Sequence, residues 1–394
     1  MNTYAVAARA KAAAIIPAGQ ALGMSYNLAG RRLELEMHTR RHGANGAFFG
    51  DLQVTARTEA DTIEEAVADV IRGREMAIIV AVAVNAAIAP LEAELAYETT
   101  EGIEDREFFQ RFVPQDEISY ADRVVPIDAT AAVLTAVARH PQRDRLVRAI
   151  MQYSEALQRW DDGNELLVLA HLFMGVEAIK KACWRVELAN RCMTKEELAS
   201  KWGFEPDNRL RIDEFLDKEA RLRLVFRGDA LHHRIAKDVS DKFEHGFENG
   251  GKLFKPAASA LIPSATYLRD AILELLNLPE KHLSKLKSET YSNPRGPAGL
   301  EQYLRGRLIA PAGERLAADG QEHPFCFWQV EVEAHRRQDG THEYEHKPTL
   351  TAVIGPGVTL QPLQHEVYAR GTFKPMSAGE AQRPPDADQE GGPM

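Results

Sequence analysis

"RDRLVRAIMQYSEALQRWDDGNELLVLAHLFMGVEAIKKACWRVEL" runs from Arg143 to Leu188. Apolar residues recur three and four apart on both sides of "WDDGN", the spacing of amphipathic helices. Gly163 and Asn164 make that pentapeptide a helix stop followed by a restart. Two helices in tandem, with more to either side, predict a helical bundle.

The pattern extends outward in both directions. Upstream, "DATAAVLTAVARH" is a short alanine-rich helix, and Pro141 opens a new regime. Downstream, Thr194 stands three residues before Glu197, a capping box for a helix whose apolar side is Leu198 and Trp202. "RIDEFLDKEARLRLVF" reads as another amphipathic helix. "SATYLRDAILELLNL" closes the set, with Tyr267, Leu268, Ile272, Leu275 and Leu276 facing inward. These segments define a helical domain over 127–285.

Before it, residues 1–126 read as a mixed α/β module. "RRLELEMHTRR" alternates Leu33, Leu35 and Met37 against Glu34, Glu36 and His38, the period of a half-buried strand. "HGANGAF" supplies a turn and "FFGDLQVTART" a return strand. "EADTIEEAVADVIRGRE" places Ile63, Val67, Val70 and Ile71 at helical spacing, with Asp61 as N-cap. "MAIIVAVAVNAAIAP" (76–90) is shorter than the roughly 20 residues that cross a bilayer. It contains Asn85 and is expected to be a buried strand or core helix.

After Pro279 the chain turns basic and loop-like, and 286–321 is expected to be a basic linker. "FCFWQVEVEAHRR", "QDGTHEYEHKPTLTAVIG" and "VTLQPLQHEVYAR" alternate like strands, with "QDG" as a hairpin signal. They predict a small β module over 322–372. The Pro/Gly/acid-rich tail 373–394 is expected to be disordered. The expected fold class is therefore multidomain α+β, with a central all-α bundle flanked by an α/β and a β module.

At 394 residues the chain is long enough for two or three domains of roughly 100–200 residues each. The formal net charge of -10 excludes a nucleic-acid binder that works through overall charge, so such a site requires a local basic patch. Cys183, Cys192 and Cys326 lie far apart with no metal-like spacing and read as reduced, buried thiols of a cytoplasmic protein. No signal peptide or membrane span is read, and no cofactor motif.

The chemistry-bearing stretch is "RGDALHHRIAKDVSDKFEHGF", Arg227 to Phe247. As a helix it places Asp229, His233, Lys237, Asp241 and His245 four residues apart along one ridge. Asp229 is expected to hold His233, and Asp241 to hold His245. A carboxylate beside an imidazole raises its pKa and fixes its tautomer, which suits a general acid or base. Arg227 and Lys237 are placed to hold a phosphate. That inventory fits RNA cleavage by the 2′-hydroxyl, without metal. An alternating acid/base ridge is equally a solvated helix face. A metal site from His232, His233, His245 and Asp241 is disfavoured by Lys237 in its midst. "GGKLFKP" (250–256) lacks the full phosphate-loop pattern, Asp161 and Asp162 read as a helix end, and His171 as a core histidine.

Three pieces resemble the HEPN superfamily, the helical domains of many prokaryotic defence and toxin proteins. "FMGVEAIKKA" (173–182) is similar to its apolar–Glu–Ala helix. "KDVSDKFEHGF" is similar to the segment that ends in His-Gly, and "YLRDAILELL" (267–276) to its closing helix. The resemblance covers roughly 150 residues. It implies a metal-independent ribonuclease built from an arginine and a histidine and completed in a homodimer through the helical domain. His245, followed by Gly246, matches the family histidine, but Ser240 stands where the arginine belongs. Arg227 with His232 or His233 satisfies the bare spacing without the following glycine. His245, His232, His233, Arg227 and Asp241 are thus the candidate catalytic residues; Lys237, Ser240 and Lys242 are candidate substrate contacts. Three functions stay open: a ribonuclease of defence or toxin–antitoxin type, a degenerate HEPN protein that binds RNA or a partner protein, and a structural or regulatory protein without a site.

Overall fold

The structure is a computed structural model. It describes residues 2–369, except 18, 29–30, 43–46, 71–72, 112–120, 122, 206–210, 247, 298–299 and 337–341. The expected turn at "HGANG", the "QDG" hairpin signal and the tail 373–394 fall wholly or mostly outside the described residues.

The N-terminal region builds a six-stranded antiparallel sheet. Its strands are β1 (Asn2–Lys11), β3 (Leu22–Leu28), β4 (Arg31–His42), β5 (Ala47–Ala60), β6 (Glu92–Glu98) and β7 (Phe108–Gln110). They lie in the order β3-β4-β5-β1-β6-β7. Alternation decides which face each side chain takes. Tyr4, Val6 and Ala8 of β1, Leu33, Leu35 and Met37 of β4, and Leu52, Val54 and Ala56 of β5 are all buried on one face. Two short strands, β2 (Ala14–Ile15) and β8 (Arg123–Val124), pair in parallel beside it.

Helices α1 (Ile63–Val70) and α2 (Gly73–Val84) pack with the sheet. Helix α1 is capped by Thr62, whose hydroxyl accepts the Glu65 N–H at 3.3 Å, and not by Asp61, whose own N–H is taken by the Glu65 side chain. One residue of register separates expectation and structure. Of the two expectations for "MAIIVAVAV", the helix holds: Met76 to Val84 are all buried. A helix apolar all round belongs inside a core. Among the described residues no helix is long and apolar enough to cross a membrane.

The helical region follows: α3 (Ile127–Arg139), α4 (Arg143–Gln158), α5 (Glu165–Arg191), α6 (Lys195–Lys201), α7 (Ile212–Ala220), a π-helical turn (Arg221–Val225), α8 (Ala230–Glu244) and α9 (Gly250–Leu275). Thr194 and Glu197 form the expected capping box of α6. Helix α5 is the hub, with α4, α7, α8 and α9 packed on it. Gly175 lets α9 approach, for a Cβ there would stand 2.5 Å from Leu268 Cδ2. Helix α9 starts at Gly250, well before the expected closing helix, and carries Pro256 and Pro263 in its interior.

One hydrophobic core runs from Tyr4 in the sheet to Tyr291 beyond the helices. A smaller cluster sits around Trp184, Leu198, Phe215 and Leu216. Buried polar groups tie the layers together. Arg269 donates to the carbonyls of Val82, Ala83 and Leu286. Arg123 donates to Val84 and Asn293, and Asn85 bridges Tyr153 and Tyr291. Two arginines thus satisfy carbonyls left open at the C-terminus of α2, where a cation also meets the negative end of the helix dipole.

After Pro279 the chain is not loop-like. It forms α10 (Glu280–Leu286) and α11 (Glu289–Ser292), because Leu286 and Tyr291 reach the core. Within the segment expected to be a linker, β9 (Leu300–Ile309) is a strand that pairs with β12 (Thr359–Ala369). Strands β10 (Phe325–Arg336) and β11 (His342–Val353) form an antiparallel ribbon.

Candidate functional site

The chemistry-bearing stretch begins where α7 fails to run straight into α8. The π-turn at Arg221–Val225 ends at Phe226, and Arg227 and Gly228 follow with φ of 52° and 85°. Positive φ at a non-glycine is uncommon, and π-turns and such backbone cluster at functional sites. The reversal buries Phe226 under His232, His233 and Tyr267, with ring centroids 6.0, 5.1 and 5.5 Å away.

Asp229 is the N-cap of α8 and not a rung of an i,i+4 ridge. Its Oδ1 accepts the His232 backbone N–H at 2.9 Å, and its Oδ2 accepts the Tyr267 hydroxyl at 3.0 Å. Those donors hold its carboxyl below the usual carboxylate range. The tie to the His233 side chain does not form, because the cap already engages the carboxylate. His232 Nε2 lies 3.1 Å from Ser264 Oγ. Its pKa is lowered, first by burial, and the Asp229 charge opposes that shift. His233 is lowered too, by burial and then by Arg221 and Lys237. Both imidazoles are therefore neutral near pH 7.

The three candidate cations, Arg227, Lys237 and Lys242, are each engaged. Arg227 pairs with Asp270 at 2.8 Å and Glu274 at 2.6 Å, and Lys287 joins the same carboxylates. Lys237 is paired with Asp241, so Asp241 does not orient His245 through that pair. Lys242 pairs with Asp238 at 3.0 Å and Glu248 at 3.6 Å. Ser240 is buried at 1% exposure, and its hydroxyl donates to Glu244 at 2.5 Å.

His245 is exposed and sits at the opposite end of α8 as its C-cap, its backbone N–H bonded to the Asp241 carbonyl. At ~1.5 Å per residue it stands about 20 Å along the helix from His232. The eight sequence-level candidates therefore divide. Arg227, His232 and His233 gather at the start of α8; Lys237, Ser240, Asp241 and Lys242 follow along it; His245 lies at its end. Among the described residues no three His, Cys, Asp or Glu side chains are grouped to hold a metal ion.

Helix α9 supplies what the sequence reading left out: Ser264, Tyr267, Asp270 and Glu274. They recur three and four apart, a polar stripe on a helix otherwise apolar inward, and that spacing was the available signal. His171 is half-buried with Nδ1 2.9 Å from Gln152 Oε1.

The arrangement offers a neutral imidazole beside a hydroxyl, an ionised cap and an arginine already neutralised. No family model, no curated protein and no solved structure matches this chain.

Proposed function

We propose that this chain is a HEPN-like helical protein without ribonuclease activity, and that it works as a protein-binding module. The state of its cations carries this reading. Arg227 and Lys237, the groups expected to hold a phosphate, and Lys242, a candidate substrate contact, each sit against carboxylates. An ion-paired guanidinium beside Asp270 and Glu274 gives a phosphodiester no net attraction, and the overall charge of -10 repels it. Ser240 at the family's arginine position, and the separation of His245 from His232 along α8, support the same conclusion. The all-α character of 127–285 and the β ribbons beyond it agree with a scaffold that presents surfaces.

A second reading is favoured by one observation, the convergence of Arg227, Asp229, His232 and Tyr267 at the π-turn. On it the chain is a metal-independent ribonuclease of defence or toxin–antitoxin type, in which His232 is the general base and a second copy supplies the missing cation. The two readings part on RNA binding. Fluorescence polarisation with labelled single-stranded RNA at about 150 mM salt is expected to show no saturable binding. Micromolar binding, lost with Arg227→Ala, would favour the nuclease.

A further inference from the structure

The six-stranded sheet has two edges, and they are not alike. At one end β7 is three residues long, Phe108–Gln110, and Arg111 follows it, paired with Glu92 at 3.8 Å. A short edge beside charge resists further pairing. At the other end β3 has seven residues, "LGMSYNL", from Leu22 to Leu28. It pairs with β4 in an unbroken register, from Leu22 opposite Met37 to Leu28 opposite Arg31. It holds no charged residue, no proline and no bulge, which are the usual guards of an edge.

The outer side of β3 is open. Gly23 is exposed, and since it has no side chain, what it exposes is main chain. A Cβ placed on it would meet nothing within 4 Å. Helix α3 packs with this strand and leaves Gly23 and Ser25 exposed. Among the described residues β3 makes no backbone hydrogen bond except to β4.

The two faces of the strand decide what fits. Leu22, Met24 and Tyr26 stand opposite Met37, Leu35 and Leu33 and share their core face. Leu22 is buried, but Met24 and Tyr26 are only partly so, because no strand lies beyond them. Gly23 and Ser25 take the other face. Antiparallel pairing of two copies of β3 about a two-fold axis at Ser25 sets Met24 opposite Tyr26 and Ser25 opposite Ser25. Residues directly opposite share a face, so apolar side chains meet on the core side and small hydroxyls on the solvent side. A slip of one residue would turn one copy's core face onto the other's solvent face, which specifies the register. The strand carries no charge with which to select a different partner, while its own pattern is self-complementary. The row through Ser25 includes Glu34 of each copy. Three inter-strand gaps, about 14 Å, separate those two carboxylates, beyond the screening length of about 8 Å in physiological salt.

We infer that β3 pairs with β3 of a second copy of this chain, joining the two six-stranded sheets into one across a two-fold axis at Ser25. The inference goes beyond the readings of α8 and does not depend on either. A join made of one strand pair is at the small end of stable interfaces, so the dimer is expected at tens of micromolar, about 10–100 µM.

Sedimentation velocity of the full chain, from about 1 to 200 µM, tests it. A monomer–dimer equilibrium is expected for the unaltered chain. Ser25→Glu sets two new carboxylates directly opposite each other, between those of Glu34, and should weaken the dimer by about tenfold. Ser25→Lys also opposes like charges and should weaken it. An equal mixture of the two variants sets lysine opposite glutamate and should restore dimer to at least the unaltered level. Ser25 is exposed, so melting midpoints at about 1 µM, where the chain is monomeric, are expected to match the unaltered protein. Should Ser25→Glu not fold, Ser25→Lys beside the unaltered chain still decides. Monomer alone up to about 200 µM overturns the inference. Undiminished dimer in the variants also overturns it, by placing the join elsewhere, the helical region included. A mixture no tighter than either variant alone would mean that Ser25 does not meet Ser25, and overturns it as well.

Discussion

Arg269 donates its Nε to the carbonyl oxygen of Val82 at 2.8 Å, across 187 positions of sequence. Its Nη2 satisfies Ala83 and Leu286 as well. Arg269 is 3% exposed, and its guanidinium is met by the carbonyls of Val82 and Ala83 at the end of α2 and of Leu286. Burial lowers its pKa, and the nearby Tyr153 and Asp270 oppose the shift.

Arg269→Met should therefore unlock the sheet from the helical layer. Three buried carbonyls lose their donor, each worth about 1–3 kcal/mol, so a loss of roughly 3 kcal/mol or more is expected. Denaturant unfolding of the two proteins measures it. A loss under about 0.5 kcal/mol would mean that water replaces the arginine.

Gly175→Ala tests the closest helix approach. The new Cβ would fall 2.5 Å from Leu268 Cδ2, and Leu268 is fully buried. Overpacking of this kind costs about 1–3 kcal/mol. Leu268→Ala in the same chain should recover part of that cost, and strict additivity of the two changes would deny the contact.

Ser240→Arg places a cation at a position 1% exposed. It should destabilise the protein by roughly 2 kcal/mol and should create no ribonuclease, although it puts an arginine where the HEPN resemblance expects one. Thermal melts with an RNA cleavage assay check both halves.

Stability should fall as the medium is acidified below about pH 6.5, the ordinary histidine value. His140, His171, His232 and His233 all have folded-state pKa values below it, with burial the first cause in each. Above that value neither folded nor unfolded chain protonates them. Below it the unfolded chain takes up protons that the folded one resists, so stability is lost progressively toward the folded pKa values. Melting midpoints between about pH 7.5 and 5 should show this, and His233→Asn should flatten the slope. A midpoint that rises on acidification would contradict the burial of these rings.

Much of the helical region was legible in sequence. The α4–α5 break at "WDDGN" and the Thr194 capping box follow from residues within a few positions of each other. Strand β1 was not legible: its "AVAARA" has the composition of a helix, and only its place between β5 and β6 makes it a strand. The first half of α9 was hidden by Pro256 and Pro263, both inside the helix, where tertiary packing of Leu253, Ala257 and Leu261 outweighs the lost hydrogen bonds. The residue types of the candidate site were readable, but their pairing was not. Asp229 and Arg227 found side-chain partners on α9 and not among the histidine rings, and Lys237 paired with Asp241; pairing between helices is not written in the spacing of either one.

The central claim, that the ion pairs of Arg227, Lys237 and Lys242 leave no ribonuclease, is tested most directly by incubating the full chain with mixed cellular RNA in EDTA, beside His232→Ala and His245→Ala. Intact RNA with all three proteins is the expected result. Cleavage by the unaltered chain in EDTA, with 2′,3′-cyclic phosphate ends and a loss of about 10²-fold or more in either variant, would contradict it.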